Sequence, residues 1–285
     1  MKGNDKDKIT VLFLSANPRG TKKLDLIKES NAIEDIIDSA GAGDQFLFKQ
    51  RHEASVSTLQ QYLIKYKPQI VHFAGHGNDE TETGIFLFQD LKGKKEPASK
   101  ESIADLFRTL NEQDNITEKD KIRLVVLNAC FSQELADEIA KYVDCVIGMQ
   151  NQIKDTAARK FAESFYFGIA SPQKSVHTAL ELGRNQLELL NIPKEHMIPD
   201  IAVREGTDPN KIIFVASNEN GNLGKKSAAE NTSGPVVKAN LKIKKARKKA
   251  TAIDAEGISK GTIDAKQDIG EAMDDVTTVR IGHIG

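Results

Sequence analysis

The chain has no tryptophan and only two cysteines, Cys130 and Cys145, in 285 residues. Two thiols cannot make a disulfide framework, and a reducing compartment keeps them free. Charge of neither sign is in excess: 40 Lys and Arg stand against 41 Asp and Glu, a formal net charge of -1. A near-neutral chain has no global pull toward nucleic acid or an anionic membrane. Long apolar runs are missing too. None approaches the length of a membrane span. Residues 1–8 are polar, with no apolar segment of signal-peptide type behind them. These absences lead us to expect a cytoplasmic protein with no membrane partner and no direct contact with nucleic acid.

What is present is alternation. Residues 9–14 form an apolar run that ends at Asn17-Pro18-Arg19-Gly20, and residues 24–39 then carry Leu24, Ile27, Ala32, Ile33, Ile36 and Ile37 at helical spacing. The same rhythm predicts strands over 46–48, 70–74, 84–88, 123–127, 145–147 and 212–216. It predicts helices over 57–65, 102–110, 134–142, 157–169 and 176–190. Strands that alternate with helices imply right-handed crossovers, hence an α/β domain with a mostly parallel central sheet and helices on both faces.

Composition shifts after Ser217. We divide the chain into an α/β domain over 1–217, a polar and basic linker over 218–250 and a short interaction tail over 251–285. The linker holds six positive residues in the eight from Lys242 to Lys249. The tail is β-prone sequence punctuated by glycine, with the near-repeat Ala252-Ile253-Asp254-Ala255 and Thr262-Ile263-Asp264-Ala265. Such a segment can pair edge to edge with another chain; the alternative is a disordered end.

In an open α/β sheet, reacting groups gather beyond the C-terminal ends of the strands. Two strand ends carry unusual residues: Ala74-Gly75-His76-Gly77 and Asn128-Ala129-Cys130-Phe131-Ser132. A lone Cys ending an apolar strand is usually a small core hydrophobe. Glycine on both sides of a histidine, straight after a buried strand, is costly unless the backbone must approach something closely. If the two strands are neighbours, the side chains of His76 and Cys130 meet. A neighbouring imidazole then takes the thiol proton and later protonates a leaving amine. The N–H groups of Gly77 and Cys130 are candidates for an oxyanion hole. The scheme needs no metal and no cofactor. His72 and His76 are four apart, but with no fourth ligand a zinc site is improbable, and His72 is better placed in the core or behind the site. His52, His177, His196 and His283 have no partner we can name. No phosphate-loop or dinucleotide-loop pattern follows any strand.

His72-Phe73-Ala74-Gly75-His76-Gly77, Val126-Leu127-Asn128-Ala129-Cys130 and Val146-Ile147-Gly148-Met149 together resemble the CHAT domain, a caspase-related peptidase family. Residues 12–18 and 157–166, then Ser175-Val176 and Ala179, fit the same pattern in the same order, so the resemblance spans roughly residues 8–217. The His-to-Cys separation is also near the roughly 50 residues of the caspase arrangement. The resemblance implies a caspase-like three-layer sandwich and cysteine endopeptidase activity, with His76 and Cys130 as catalytic residues. It implies a protein substrate, and a defence or programmed-death setting with a sensor or adaptor partner; the β-prone tail over 251–285 is the segment we expect to engage it. In related separases an acidic residue after the Val-Ile-Gly strand receives a basic side chain of the substrate. The corresponding stretch here holds Gln150, Asn151 and Asp155, and Asp155 is its one carboxylate. The other reading of Asp155 is a helix N-cap ahead of residues 157–169. Residues 78–83 and 112–121 are candidate specificity loops or plain surface connections. Other functional classes stay open: a catalytically silent caspase-like scaffold, or a ligand-binding α/β module.

Overall fold

The computed structural model describes residues 7–77, 86–192 and 194–216, all within one compact unit, Met1–Asn220. The linker and tail lie outside the described residues, as does the loop at 78–83. Six strands make one sheet: β1 (Ile9–Ser15), β2 (Phe46–Arg51), β3 (Ile70–Ala74), β6 (Leu124–Asn128), β7 (Cys145–Met149) and β8 (Pro199–Val203). Their order is β2-β1-β3-β6-β7-β8. The first five run parallel, and β8 closes the far edge antiparallel to β7. A separate hairpin pairs β4 (Leu87–Gln89) with β5 (Lys95–Pro97).

Every residue of β3, β6 and β7 is buried. That is the consequence of covering a parallel sheet on both sides. Strand periodicity divides the side chains between two cores. Val11, Phe13, Ile70, Leu124, Val126, Cys145 and Ile147 face α1 (Leu26–Ser39), α5 (Asp155–Ala170) and α6 (Val176–Leu189). Leu12, Leu14, Val71, Phe73, Val125, Leu127 and Val146 face α2 (Val56–Tyr66), α3 (Lys100–Asn111) and α4 (Gln133–Ile139). The result is a three-layer α/β sandwich. Short polar side chains start four of the helices: Asp25, Ser55, Ser99 and Ser175 each accept a backbone N–H of the first turn.

The strand expected over 212–216 is not there. Ile212 and Val215 are buried, but Ile213 makes only an isolated bridge to Ser175, at the start of α6. The sixth strand is β8. Pro199 and Asp200 hid it from the pattern, since both are rare inside strands; Pro199 opens the strand at the sheet's edge, where proline is tolerated. The stretch 112–121 joins α3 to the N-terminal end of β6. It therefore lies at the opposite end of that strand from Cys130 and is a connection rather than a specificity loop.

Candidate active site

Strands β3 and β6 are immediate neighbours in parallel register, with Ala74 opposite Asn128. Each chain runs two residues further, so His76 and Cys130 emerge at the same level of the same sheet edge. The ladder continues one step past the strand ends, where Gly75 N–H donates to Asn128 O at 3.4 Å.

The glycines are a matter of space. A Cβ on Gly77 would stand 1.7 Å from the carbonyl oxygen of Cys130 and 3.3 Å from its nitrogen. The Gly77 backbone therefore lies directly on the Cys130 peptide. A Cβ on Gly75 would stand 2.8 Å from Ala16 O and 3.0 Å from Phe86. No other residue type fits either position without moving the strands.

His76 is held from two sides. Its carbonyl accepts Leu87 N–H at 3.0 Å, and its Nε2 lies 2.7 Å from the carbonyl oxygen of Lys22. A carbonyl only accepts, so Nε2 carries the proton and Nδ1 keeps the lone pair of the neutral ring. Cys130 is partly exposed and its thiol points to Ile153 O at 3.7 Å. Phe131 follows with φ +54, so the chain turns sharply behind the thiol through a left-handed residue. Ser132 locks this turn: its hydroxyl donates to Leu127 O at 2.9 Å and accepts Met149 N–H at 3.0 Å.

Beneath the edge runs a buried polar chain. His72, fully buried, donates from Nε2 to Glu29 at 3.0 Å, and its Nδ1 is 3.2 Å from the Tyr166 hydroxyl. The same Glu29 oxygen accepts Asn128 Nδ2 at 2.6 Å. The His72 ring stacks on Phe13 at 4.9 Å. Burial, with the charge of Glu29 added, pushes the Tyr166 hydroxyl well above its ordinary value. The chain ties α1, β3, β6 and α5 together two residues before Cys130 and four before His76.

His72 thus takes its expected place in the core. Glu29, Asn128, Tyr166 and the Lys22 carbonyl were not foreseen. The one legible signal was Glu29, a carboxylate on the same helical stripe as Leu26, Ile33 and Ile37. His52 also has a partner, Ser15, at 2.8 Å. Cys145 is fully buried, and burial pushes its thiol up to about 12.

The stretch after β7 runs beside Cys130. Asn151 O accepts Phe131 N–H at 3.4 Å. Gln150 turns toward β8, donating to Asp200 at 2.6 Å. Asp155 is not the expected cap. Helix α5 begins at Asp155, two residues earlier than its apolar pattern, with Lys154 ahead of it and no side-chain cap. The Asp155 carboxylate instead accepts Arg159 at 3.4 Å. A second carboxylate, buried Glu195, pairs with Lys154 Nζ at 2.9 Å.

Residues 13–219 match the family model described as the CHAT domain. A curated protein from Gillisia limnaea, described as a probable protease, is 25% identical over 156 residues, 55% of this chain and 26% of that protein. The chain thus spans about a quarter of that relative's length. Among solved structures, caspase-1 from Spodoptera frugiperda is similar at a TM-score of 0.49 and 10% identity, covering 77% of this chain and 94% of that one. The Arg-specific cysteine proteinase gingipain R is similar at 0.46 and 10%, covering 73% and 50%. No residue role follows from likenesses this distant.

Proposed function

The chain belongs to the CHAT domain family, and on that premise we propose that it is a cysteine endopeptidase with Cys130 as nucleophile and His76 as general base. One observation carries this reading: the register of β3 and β6 brings a partly exposed thiol and an oriented imidazole to one sheet edge. With the Nε2 proton committed to Lys22 O, Nδ1 is the nitrogen that takes the thiol proton. The thiolate attacks the scissile carbonyl carbon, and the oxyanion is received by the N–H groups of Gly77 and Cys130. The imidazolium returns its proton from Nδ1 to the leaving amine. The C-terminal product departs, leaving a thioester on Cys130. Water then gives a proton to His76, attacks the thioester and releases the N-terminal product.

The side chain ahead of the scissile bond is assigned to the wall formed by Gln150, Asn151 and Asp155. Ile153 O, the acceptor of the Cys130 thiol, supports this by placing that stretch against the nucleophile. A basic side chain would share Asp155 with Arg159.

We also propose that the enzyme acts in the cytoplasm on a protein substrate, as an effector in a defence or death response. A sensor or adaptor would engage residues 251–285. Support for the tail's role is its glycine-punctuated β-type sequence alone. Deleting it should abolish co-purification with that partner, and unchanged co-purification removes the idea. The catalytic reading is tested by labelling with peptidyl electrophiles: wild type reacts at Cys130, Cys130→Ala does not, and His76→Ala reacts at least about 10²-fold more slowly.

A further inference from the structure

The carbonyl that accepts His76 Nε2 belongs to Lys22, an exposed residue on the connection between β1 and α1. Lys22 lies in no helix or strand, so regular structure does not fix where its carbonyl points. We propose that Asn17 fixes it, as a positioning residue for His76: its side chain closes the connection on itself and sets the Lys22 carbonyl against Nε2. The proposal rests on the catalytic reading of His76 and Cys130.

The bonding of Asn17 runs across the connection. Its Nδ2 donates to Leu24 O at 3.1 Å, and its Oδ1 accepts Leu24 N–H at 3.4 Å. Together these bonds close residues 17–24 into a ring with Lys22 inside it. Within the ring, Thr21 turns back on Pro18. Its N–H and its hydroxyl both donate to Pro18 O, at 3.2 and 2.6 Å, and Gly20 before it takes φ +84. An exposed loop without such ties samples many conformations, and a carbonyl on it has no fixed direction. The closure needs a side chain that both donates and accepts. Aspartate has no donor for Leu24 O, and alanine has neither group.

Asn17 is itself anchored from two directions. Its N–H donates to Oε1 of Gln89 at 2.9 Å, and Gln89 is buried at the end of β4. Just ahead of it, Ala16 N–H donates to Ala74 O at 3.1 Å, two residues before His76. The β4–β5 hairpin grips the connection again near its tip, where Gly93 O accepts Arg19 N–H at 2.7 Å. The same hairpin holds His76, through the bond from Leu87 N–H to the His76 carbonyl. Both partners of the Nε2–carbonyl bond are thus tied to one hairpin and one strand end. The Asn17 side chain links that frame to the arm that bears Lys22. With the carbonyl in place, the ring presents Nδ1 without a proton. With it displaced, the ring is free to rotate or to carry its proton on Nδ1, which then cannot take one from the thiol.

The test uses the full chain. Labelling of Cys130 by a peptidyl electrophile is resolved into an affinity constant and a maximal rate. Asn17→Ala should lower the maximal rate by about tenfold to hundredfold and leave the affinity constant in place. Arg19→Ala, a change in the same loop that keeps its backbone bond, should alter neither. The Nε2 proton is read directly as an imidazole N–H signal by NMR, in Cys130→Ala at alkaline pH. The His76 signal is assigned by its loss in Cys130→Ala/His76→Ala. Adding Asn17→Ala to Cys130→Ala should broaden that signal away through exchange with water. Thermal melting verifies folding. Asn17→Asp, equal in size but with no donor for Leu24 O, is read in the same way if alanine unfolds the chain. A wild-type maximal rate in a folded Asn17 variant overturns the proposal. So does a retained His76 N–H signal, whatever the rate, or an equal fall in Arg19→Ala. A loss confined to the affinity constant overturns it too, since Asn17 would then be a substrate contact. Failure of the catalytic reading is seen separately, as wild-type labelling of Cys130 in folded His76→Ala.

Discussion

Two thiols in one chain differ by their surroundings alone. Cys145 sits on β7 under complete burial, with its thiol pushed up to about 12, so at neutral pH it carries almost no thiolate. Cys130 is partly exposed at the sheet edge. Thiol titration of the native protein should therefore count one reactive cysteine, and two after unfolding; two in the native state would contradict the burial. Gly77 allows a sharper test. An alanine there puts a methyl carbon into the Cys130 carbonyl, so Gly77→Ala should lower peptidase activity by about a hundredfold or more, as the loss of an oxyanion donor does. Wild-type kcat/KM in a folded variant would remove Gly77 from the site. His52 supplies a pH dependence. Burial lowers its pKa below 6.5, the charge of Glu53 opposing. A lowered histidine takes up fewer protons folded than unfolded, so stability is full above 6.5 and falls as pH drops through the folded value. Melting temperature should decline on acidification, less so in His52→Asn, which can still accept the Ser15 hydroxyl. An equal decline in both would show that other groups set it.

At the scale of elements, the Glu29–His72–Tyr166–Asn128 chain does the joining. Replacing Glu29 by leucine leaves His72 Nε2 buried without its acceptor and takes from Asn128 Nδ2 the shorter of its two hydrogen bonds, the other running to Ala158 O at 3.4 Å; each loss costs about 1–3 kcal/mol. Melting should fall by about 5–15 °C, and activity should fall further than unfolding explains, because α1 leads back to the Lys22 carbonyl that orients His76. Unchanged melting would mean that the chain does not hold these elements. Most of the elements were legible because burial on both faces writes continuous apolar runs, as in residues 70–74 and 124–127. The candidate site was legible for a related reason: Gly-His-Gly and Ala-Cys break such runs at the strand ends. What was hidden depends on partners far away in the chain. Strand β8 is recognised by its pairing with β7 rather than by its own residues, since Pro199 and Asp200 speak against a strand. The apolar run at 212–215 is used to cover α6 instead. Asp155 was misplaced by two residues because polar first-turn positions add nothing to the apolar period. The Lys22 carbonyl could not be foreseen, for a backbone acceptor leaves no mark on residue type.

Across the whole folded unit, the C-terminal edge of one sheet would order the entire reaction. The stretch after β7 would take the side chain ahead of the scissile bond, and the ends of β6 and β3 would carry the thiol and imidazole. The dyad at the centre is the claim on which the rest depends. Its most direct test is labelling of the native protein with biotinylated peptidyl electrophiles, with the modified cysteine located by peptide mapping. The account predicts modification of Cys130 that disappears in Cys130→Ala and falls by about 10²-fold or more in His76→Ala, with Cys145 silent throughout. Labelling of Cys130 at the wild-type rate in folded His76→Ala would contradict it.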